Sequence, residues 1–508
     1  MHPLGLILAA ALSVASLLAP GRHAGAEVVN DVTHLNPVEV DHVAVPKTVE
    51  DVQHLVRTHD GPISIGGGHF SMGGQTASEH TLHLDMRGLN RIVAFNPAAK
   101  TITVQAGITW RAIQEAIDSH DLSLKIMQSY ANFTVGGSLS VNVHGRYMGQ
   151  GPLIGSVRSI TVVLADGQLV EASPTQRPEI FFGCIGGYGG LGVIVEATLE
   201  LADNVKVARR VATMPATAYK DYFLSTVKPS TRTIFHNADI YPPDYDQVVA
   251  ISWSATEKPV TVEDRLMPVK QRYWLDQLSY FWLTEVPFGK QIREYVIDPW
   301  RLRGDPVVWR NYEASYDVRQ LEPRARDRST YVLEEYFVPI ARFDEFVPKM
   351  AEIFMRHQAN IVNVSIRHAV PDQGSIMAWA REEVFAFVVY YKQGTSPADQ
   401  TAVGIWTREL IDAVLSVGGT YYLPYQLHAT EAQFLRAYPR AREFFALKAH
   451  LDPDNRFRNK LWDKYYHPPT QPPAPPAMTS MRNDPAPLDV KKNYRREPGT
   501  PGARTRPS

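Results

Sequence analysis

Apolar and polar positions alternate with two different periods over the first part of the chain. Apolar residues recur at helical spacing over 46–59 and 109–122, which predicts two amphipathic helices. They recur at every second position over 81–86 and 101–107, as they do in half-buried strands. These elements predict one α+β unit, which extends from about residue 38 to residue 203.

A hairpin and a further strand complete this unit. Residues 156–172 alternate on both sides of Asp166 and Gly167, a dipeptide typical of a hairpin turn. GGYGGLGVIVEATLEL (186–201) is a glycine-rich turn that leads into an apolar strand. The unit therefore combines short helices with strands that turn back on each other.

Beyond residue 203 the pattern changes to dense aromatic residues in strands that alternate with helices. One helix is predicted over 341–358, and we interpret residues 204–430 as a second α+β domain with a sheet. Residues 431–466 are helical in character and are expected to pack back near the first unit. Residues 467–508 are rich in proline and polar residues, which predicts a disordered tail.

The composition is that of a soluble globular protein. The 508 residues, 44% of them hydrophobic and 21% charged, suffice for two or three domains. The net charge of −1 argues against a nucleic-acid partner, because nucleic-acid binders usually carry a basic excess. The one cysteine, Cys184, cannot form an internal disulfide and is expected to be a small buried apolar residue.

The amino-terminal residues predict export. LGLILAAALSVASLLA (4–19) is an apolar run too short for a comfortable membrane span, and the small residues AGA (24–26) form a signal-peptidase site. We therefore interpret residues 1–26 as a signal peptide that is cleaved before Glu27, with an uncleaved anchor as the alternative. The mature chain is expected in the periplasm or outside the cell.

Three glycine-rich segments are the candidate chemistry of the first unit. Glycine lets the main chain approach a ligand closely, and free N–H groups of such loops bind diphosphate oxygens. The segments match neither the G-x-G-x-x-G fingerprint nor a G-x-x-x-x-G-K-[ST] phosphate loop. Three loops in one compact unit suit an elongated dinucleotide held by main-chain contacts. They lie at 64–75, 131–157 and 181–194.

These segments resemble the FAD-binding domain of the vanillyl-alcohol oxidase / p-cresol methylhydroxylase flavoproteins. PISIGGGHFSMGGQ (62–75) is similar to the first pyrophosphate loop of that family, TVGGSLSVNVHG (134–145) to the second, and GGYGGLGVI (186–194) to the end of the domain. Three later segments resemble the aldonolactone and alditol oxidase branch. They are EYFVP (335–339), NVSIRHAVPDQ (363–373) and YPRAREFFALKAHLDPDNRF (438–457).

The resemblance implies a fold and a cofactor. The expected fold is α+β, with a two-subdomain FAD-binding domain at 38–203 and a substrate domain at 204–430 whose sheet covers the flavin. The residues that match the family's FAD contacts are candidates for cofactor binding. They are Ile65, Gly66, Gly67, Gly68, His69, Phe70, Ser71, Gly136, Gly137, Ser138, His144, Gly145, Gly190, Gly192, Val193, Ile194 and Lys460.

His69 raises the question of a covalent flavin. In many members of this family the histidine after the glycines is bonded to the 8α-methyl group of FAD, and a neutral imidazole is nucleophilic near pH 7. Here Phe70 separates His69 from the serine that usually follows. The resemblance implies a tether at His69 or, alternatively, a non-covalent flavin beside a packing histidine. The nearby His80 and His83 have no fixed carboxylate partner and do not predict a metal site.

Oxidation of an alcohol carbon also requires a group that removes or stabilises the hydroxyl proton. Strand alternation puts Asn363, Ser365 and Arg367 on one face. Relatives carry Glu-x-Arg at the matching positions, so serine replaces the glutamate here. Arg367 is expected to orient or polarise the donor oxygen, or else to form an ion pair with Asp372 or Glu335.

Three further residues are catalytic candidates by resemblance. Glu335 is expected to point into the same cavity, and Tyr425 and His428 lie where aldonolactone-type relatives have a histidine segment near the flavin. The characteristic H-W-x-K of those relatives is absent from this chain. The choice of substrate therefore stays open.

The resemblance implies an FAD-dependent oxidoreductase that oxidises the CH–OH group of a sugar, aldonolactone or alditol by hydride transfer to flavin N5. Oxygen, a quinone or a cytochrome would then accept the electrons. One alternative is an apolar donor, such as a phenol, an amine or an isoprenoid-linked compound. The aromatic substrate domain and the missing H-W-x-K favour that alternative. The aromatic segment YWLDQLSYFWL (273–283) is expected to be core and a cavity wall for such a donor, or else a surface that meets membrane lipid. Another alternative is a flavin-binding module without turnover.

Overall fold

A computed structural model describes residues 26–269, 284–286, 288–321, 325–372 and 374–469. The predicted signal peptide except Ala26, the aromatic segment 273–283 and the tail from residue 470 lie outside the described residues. Among the described helices, none has the length and apolar character that crossing a bilayer requires.

The first unit begins with a small parallel sheet packed on one helix. An antiparallel pair, β1 (Glu27–Val29) and β2 (Val38–Val40), precedes this sheet. The strands of the parallel sheet are β3 (His42–Ala44), β4 (Ile63–Gly66) and β5 (Leu82–Asp85). The strand order is β3–β5–β4, with both pairs parallel. The helix Val49–Thr58 begins at a capping box formed by Thr48 and Asp51, and its buried Val52 and Val56 join the apolar core of this sheet.

The second half of this unit is an antiparallel sheet. Its strands are β6 (Ile92–Asn96), β7 (Thr101–Gln105), β8 (Leu122–Leu124), β9 (Val157–Val163), β10 (Leu169–Ala172) and β11 (Val193–Asp203). The order is β10–β9–β11–β7–β6, and β8 pairs with β11. The predicted hairpin is β9–β10, with Gly167 at a φ of +79° in its turn. The helices are Trp110–Ile117, Val135–Val141 and Pro178–Cys184.

The helix predicted over 109–122 is shorter than expected. It ends at Ile117, because a 3₁₀ turn over Asp118–His120 and then β8 follow it directly. Asp121 adopts the left-handed conformation between them, with a φ of +57°, which an α-helix cannot include.

The second domain is one antiparallel sheet of eight strands. They are β12 (Lys206–Pro215), β13 (Thr233–Ile240), β14 (Gln247–Ala255), β15 (Val307–Trp309), β16 (Ser329–Pro339), β17 (Ile361–Ala369), β18 (Val384–Gly394) and β19 (Thr420–Tyr421). The order is β15–β12–β14–β13–β17–β18–β16–β19. The helices are Ala216–Tyr222, Gly289–Ile292, Asp298–Arg301, Arg310–Glu313, Phe343–Arg356 and Pro397–Ser416.

The two longest helices cover one face of this sheet. Trp406, on Pro397–Ser416, packs its ring against Tyr391 of β18 and against Phe354 of Phe343–Arg356. Strand alternation then turns the side chains of the neighbouring positions, such as Tyr390, to the opposite face. That opposite face is the one that meets the first unit, and the α+β class predicted from the sequence is confirmed.

A buried ion pair joins the two domains beside the second glycine segment. Nη1 of Arg146 lies 2.6 Å from Oε1 of Glu313, and both side chains are largely buried. The guanidinium also stacks over the ring of Tyr316, whose carbonyl accepts the N–H of Ala131 at 2.8 Å. The stretch RNYEASYD (310–317), for which the sequence suggested no role, therefore fixes the substrate domain to the second glycine segment (131–157).

The carboxyl-terminal segment contacts the glycine-rich turn of the first unit. It contains the helices Glu431–Ala437, Ala441–Leu451 and Lys460–Tyr465. Nζ of Lys448 is fully buried and donates hydrogen bonds to the carbonyl of Gly190, the carbonyl of Phe457 and the carboxylate of Asp452, at 2.9, 2.9 and 2.8 Å. Asn459 donates a further bond to the carbonyl of Tyr188 at 2.7 Å.

Replacing Lys448 with methionine is expected to lower the free energy of unfolding by about 3–5 kcal/mol, because the buried Asp452 carboxylate loses its cation. Urea unfolding followed by circular dichroism measures this change. The matched control is Arg436→Met, which breaks the exposed pair with Asp412 and should cost about 0–1 kcal/mol. Equal losses in the two variants would contradict the role assigned to Lys448.

Candidate active site

A large cavity lies between the glycine loops of the first unit and the open face of the eight-stranded sheet. It encloses about 1700 Å³ of empty space, part of which is open to solvent. Its walls come from three glycine segments on one side and from β16, β17 and β18 on the other.

The first glycine segment packs so closely against its neighbours that two of its positions have no space for a side chain. A Cβ at Gly66 would lie 2.6 Å from Nε2 of both His69 and His83, and a Cβ at Gly67 would lie 2.5 Å from Oγ1 of Thr134. Glycine therefore allows the first and second segments to touch. All the candidates from Ile65 to Ser71 line the cavity.

The second and third segments form the rest of this wall. Gly136, Gly137, Ser138 and His144 of the second segment line the cavity. In the third segment, Gly192 and Ile194 line it as well. Lys448 and Asn459, described above, hold the backbone of this third segment from behind, so the carboxyl-terminal helices position a loop that lies far away in sequence.

The ring of His69 is engaged on its Nδ1 side. Nδ1 lies 3.1 Å from the carbonyl of Asn30 and therefore carries the hydrogen. Nε2 is buried and has no hydrogen-bond partner among the described residues. Burial lowers the pKa of His69, so the imidazole is neutral at pH 7.

A chain of hydrogen bonds sets the tautomer of the neighbouring His83. The Thr81 hydroxyl donates to the carbonyl of Ser78, so it must accept the hydrogen of Ser64, and the Ser64 oxygen then accepts Nδ1–H of His83 at 2.9 Å. Burial lowers the pKa of His83 to about 4. His69 and His83 thus direct two neutral Nε2 atoms at the same buried point beside Gly66.

Glu335 and His144 form a buried pair at the substrate end of the cavity. Oε1 of Glu335 forms a short hydrogen bond with Nε2 of His144, and each side chain is only 3% exposed. The Tyr425 hydroxyl donates to Oε2 of Glu335 at 3.2 Å. Burial alone would raise the pKa of Glu335, but the charges of His144 and Arg367 and the two hydrogen bonds bring it below its ordinary value. Glu335 is therefore ionised at neutral pH.

Both ring nitrogens of His144 face hydrogen-bond acceptors. Its Nδ1 lies 3.3 Å from the carbonyl of Gly145, which can only accept. The second acceptor is the carboxylate of Glu335, which faces Nε2. The pair can take up one more proton on Glu335. Burial and the charge of Glu335 raise the pKa of Tyr425 far above its ordinary value, which keeps that phenol neutral.

Arg367 lies on the cavity side of β17, as the alternation predicted. Its Nε is buried without a hydrogen-bond partner, and within the described residues no carboxylate lies at ion-pair distance. Asp372, one of the two anions considered from the sequence, instead accepts hydrogen bonds from Asn142 and from the backbone of Gly374 and Ser375. The guanidinium therefore has capacity to bind an oxygen in the cavity.

Three of the residues that were candidates by resemblance do not line the cavity. Lys460 forms an ion pair with Glu79 at the surface. His428 lies against Gly404 in the helix Pro397–Ser416, where burial lowers its pKa to about 4. Ser365 shares the face of Arg367 but does not line the cavity.

Three cofactor candidates are next to the lining rather than in it. The position of Gly145 faces the carbonyl of Met127, and that of Gly190 faces the indole of Trp462. Val193 belongs to the apolar core of the parallel sheet. These positions shape the loops through packing, and the neighbouring residues form the wall.

Sequence reasoning missed most of the substrate end. Ring-bearing and polar residues from separate elements line it; they are Gln128, Ser129, Tyr130, Tyr331, Tyr390 and Tyr422. Alternation within β16 puts Tyr331 on the same face as Glu335, and alternation within β18 puts Tyr390 and Tyr391 on opposite faces. It does not indicate which face is turned to the cavity, and this depends on where the two long helices pack.

The residues present fit FAD. The glycine cradle is closed to side chains, as Gly66 and Gly67 show, and it offers main-chain groups to a diphosphate. The buried Oγ of Ser129 and Nε of Arg367 line the cavity and lack partners among the described residues, so a bound ligand can satisfy both. Among the described residues no group of three or more histidine, cysteine or acidic side chains could hold a metal ion.

Comparison with known proteins gives the same assignment. The family model for the FAD binding domain matches residues 40–173. The chain is 32% identical to an uncharacterized oxidoreductase of the fasciation locus of Rhodococcoides fascians over 182 residues, which cover 35% of this chain and 40% of that protein. It is 22% identical to L-gulonolactone oxidase of Bos taurus over 446 residues, which cover 83% of this chain and 94% of that protein.

A solved structure shows the same fold. Cholesterol oxidase from Brevibacterium sterolicum, as a His121Ala mutant, superposes with a TM-score of 0.64 at 16% sequence identity and covers 87% of this chain and 97% of that one. Its two-domain arrangement is the vanillyl-alcohol oxidase / p-cresol methylhydroxylase fold, which confirms the predicted fold class. With a matched FAD binding domain at residues 40–173, one relative similar over most of its length and a cavity that fits the cofactor, this chain is an FAD-binding protein with the p-cresol methylhydroxylase type of fold.

Proposed function

We propose that this FAD-dependent oxidoreductase oxidises a CH–OH group, with Glu335 and His144 as the proton-accepting pair. The observation that supports this proposal is the buried hydrogen bond between the two side chains in the cavity wall. A lone buried carboxylate would be costly, whereas one that is hydrogen-bonded to an imidazole and a phenol stays ionised and can act as a base.

Each polar residue then has a defined task. FAD, when bound, accepts the two electrons released by the donor. Arg367 binds the donor oxygen through its unpartnered Nε side and stabilises the negative charge that develops there. The Tyr425 hydroxyl, hydrogen-bonded to Oε2 of Glu335, passes the donor's proton to that carboxylate. His144 keeps Glu335 ionised until the proton arrives.

The donor is proposed to be a sugar, an aldonolactone or an alditol, as the likeness to L-gulonolactone oxidase suggests. The acceptor that completes the cycle is oxygen, a quinone or a cytochrome. A second candidate is an apolar donor, and it is favoured by the tyrosines and by Val318, Leu333 and Val388 in the cavity wall.

Anaerobic mixing with two sets of donors separates these candidates. A polyol and lactone set is expected to bleach the flavin absorbance, because Arg367 and Glu335 bind hydroxyl groups. Bleaching by a phenol, amine and prenol set alone would instead establish the apolar donor. A flavin that dithionite reduces but neither set does would support the alternative of a binding module without turnover.

We further infer that FAD is held without a covalent bond to His69. Support comes from the ring itself, whose Nδ1 donates to Asn30 and whose Nε2 is buried beside His83. The tether suggested by family resemblance needs a ring nitrogen that is free to reach the flavin.

A further inference from the structure

We propose that the outer surface of residues 288–300 docks this protein on a lipid bilayer. Large apolar side chains are mostly buried in soluble proteins, and a group of them exposed together marks an interaction surface. This segment exposes several within one short stretch. They are Phe288 (74% exposed), Ile292 (45%), Tyr295 (67%), Val296 (62%) and Trp300 (69%).

The segment is amphipathic, with its polar side toward the protein and its apolar side toward the outside. Its helices Gly289–Ile292 and Asp298–Arg301 are joined by the π-helical stretch Arg293–Ile297. The segment turns a polar side inward, where Nε of Arg293 lies 2.9 Å from the carboxylate of Asp298. The same guanidinium donates to the carbonyl of Val362 and to the side chain of Asn363, both at 3.0 Å. These bonds fix the segment on β17 with its apolar side outward. A fixed helical segment with an outward apolar face matches an interfacial helix that lies in the plane of a membrane.

The residue types favour lipid over a protein partner. Tryptophan and tyrosine place amphipathic rings at the headgroup level of a bilayer, and arginine beside them reaches the phosphates. Trp300 has two exposed cations next to it, Arg301 and Arg303. Tyr295 instead has carboxylates beside it, those of Glu294, Asp244 and Asp246. Cations thus gather at the tryptophan end, where lipid phosphate complements them. Since the carboxylates offset the cations across the whole face, insertion of the rings is expected to dominate binding.

The surface is continuous with the substrate end of the cavity. Oγ1 of Thr284, just before the segment, lies 3.2 Å from the hydroxyl of Tyr331, which lines the cavity. Asn363, the anchor of Arg293, lies on the same side of β17 as Arg367. Docking would therefore bring the substrate end close to the bilayer. This last consequence rests on the proposed function, because it concerns entry of a membrane-resident donor or quinone.

Vesicle flotation of the purified holoprotein tests the proposal directly. The probes are vesicles of phosphatidylcholine alone and of phosphatidylcholine with phosphatidylglycerol. The wild type is expected to float with both, and Tyr295→Ser/Trp300→Ser should bind at least about tenfold more weakly because two inserted rings are lost. The control Met355→Ser/Ile405→Ser removes exposed apolar side chains from the two long helices and should bind like the wild type.

Three results would overturn the proposal. They are a wild type that floats with neither vesicle, equal binding of the two double variants, and a wild-type dimer that the Tyr295→Ser/Trp300→Ser change dissociates while vesicle binding is absent. The last result would assign the surface to a second copy of the chain. Phe288→Ser/Val296→Ser is a second variant in case the first fails to fold. Because flotation needs no donor, failure of the proposed reaction leaves this result readable.

Discussion

Replacing Glu335 with glutamine is expected to lower the rate of flavin reduction by an active donor by about 10²–10⁴-fold, the range for loss of a general base. Glutamine keeps the size of the side chain and a hydrogen-bond acceptor for Tyr425, but it cannot take up the donor's proton. Stopped-flow absorbance under anaerobic conditions measures the rate. The flavin content of the purified variant should match that of the wild type, since Glu335 lies at the substrate end.

The pH dependence gives the same prediction a second readout. A base acts only when it is deprotonated, so the wild-type rate should be flat at neutral pH. It should fall only as the pH drops through the pKa of Glu335, which His144, Arg367 and Tyr425 hold below the ordinary value despite burial. This acid limb should be absent from Glu335→Gln, which has no group to protonate at that position.

The adjacent residue supplies a matched control. Glu334 is equally buried but lies on the opposite face of β16, where burial raises the pKa of its carboxyl far above the ordinary value and keeps it protonated. Glu334→Gln therefore makes the same chemical change away from the cavity, and its rate of flavin reduction should stay within about twofold of the wild type. A Glu335→Gln variant that reduces as fast as this control would refute the role of Glu335.

Acid precipitation is expected to release all of the flavin into the supernatant and leave a white pellet. This expectation follows from our inference of a non-covalent flavin, which is supported by the hydrogen bond from Nδ1 of His69 to the carbonyl of Asn30 and by the burial of Nε2 beside His83. The mass of the denatured chain should accordingly equal that of the polypeptide alone. Absorbance of both fractions and intact-mass spectrometry measure the outcome.

The variant His69→Ala distinguishes a tether from a packing role. With no tether, its flavin partitions into the supernatant as in the wild type, although the first glycine segment loses a packing contact beside Gly66. A yellow pellet from the wild type that turns white in His69→Ala would show that the ring rotates and bonds to the flavin. That result would reject our inference about this residue.

The sequence alone determined the local features. Periods of 3.6 and 2 predicted the helix near 46–59 and the strand that presents Arg367, because these periods follow from backbone geometry and require no knowledge of distant residues. The glycine runs indicated a dinucleotide cradle for the same reason, since a missing Cβ is a local property. They placed residues 65–71 in the cavity wall correctly.

Only the tertiary structure decided which side chains meet. Glu335 and His144 are 191 residues apart and form one acid–base pair, and Arg146 and Glu313, 167 residues apart, lock the domains together. The candidates His428 and Lys460 occupy family-like stretches but are turned to other neighbours. Outward exposure of Trp300 likewise depends on Arg293 being held by Asp298 and β17. Pairing across such distances depends on how whole sheets and helices pack, which the spacing of residues in one segment does not encode.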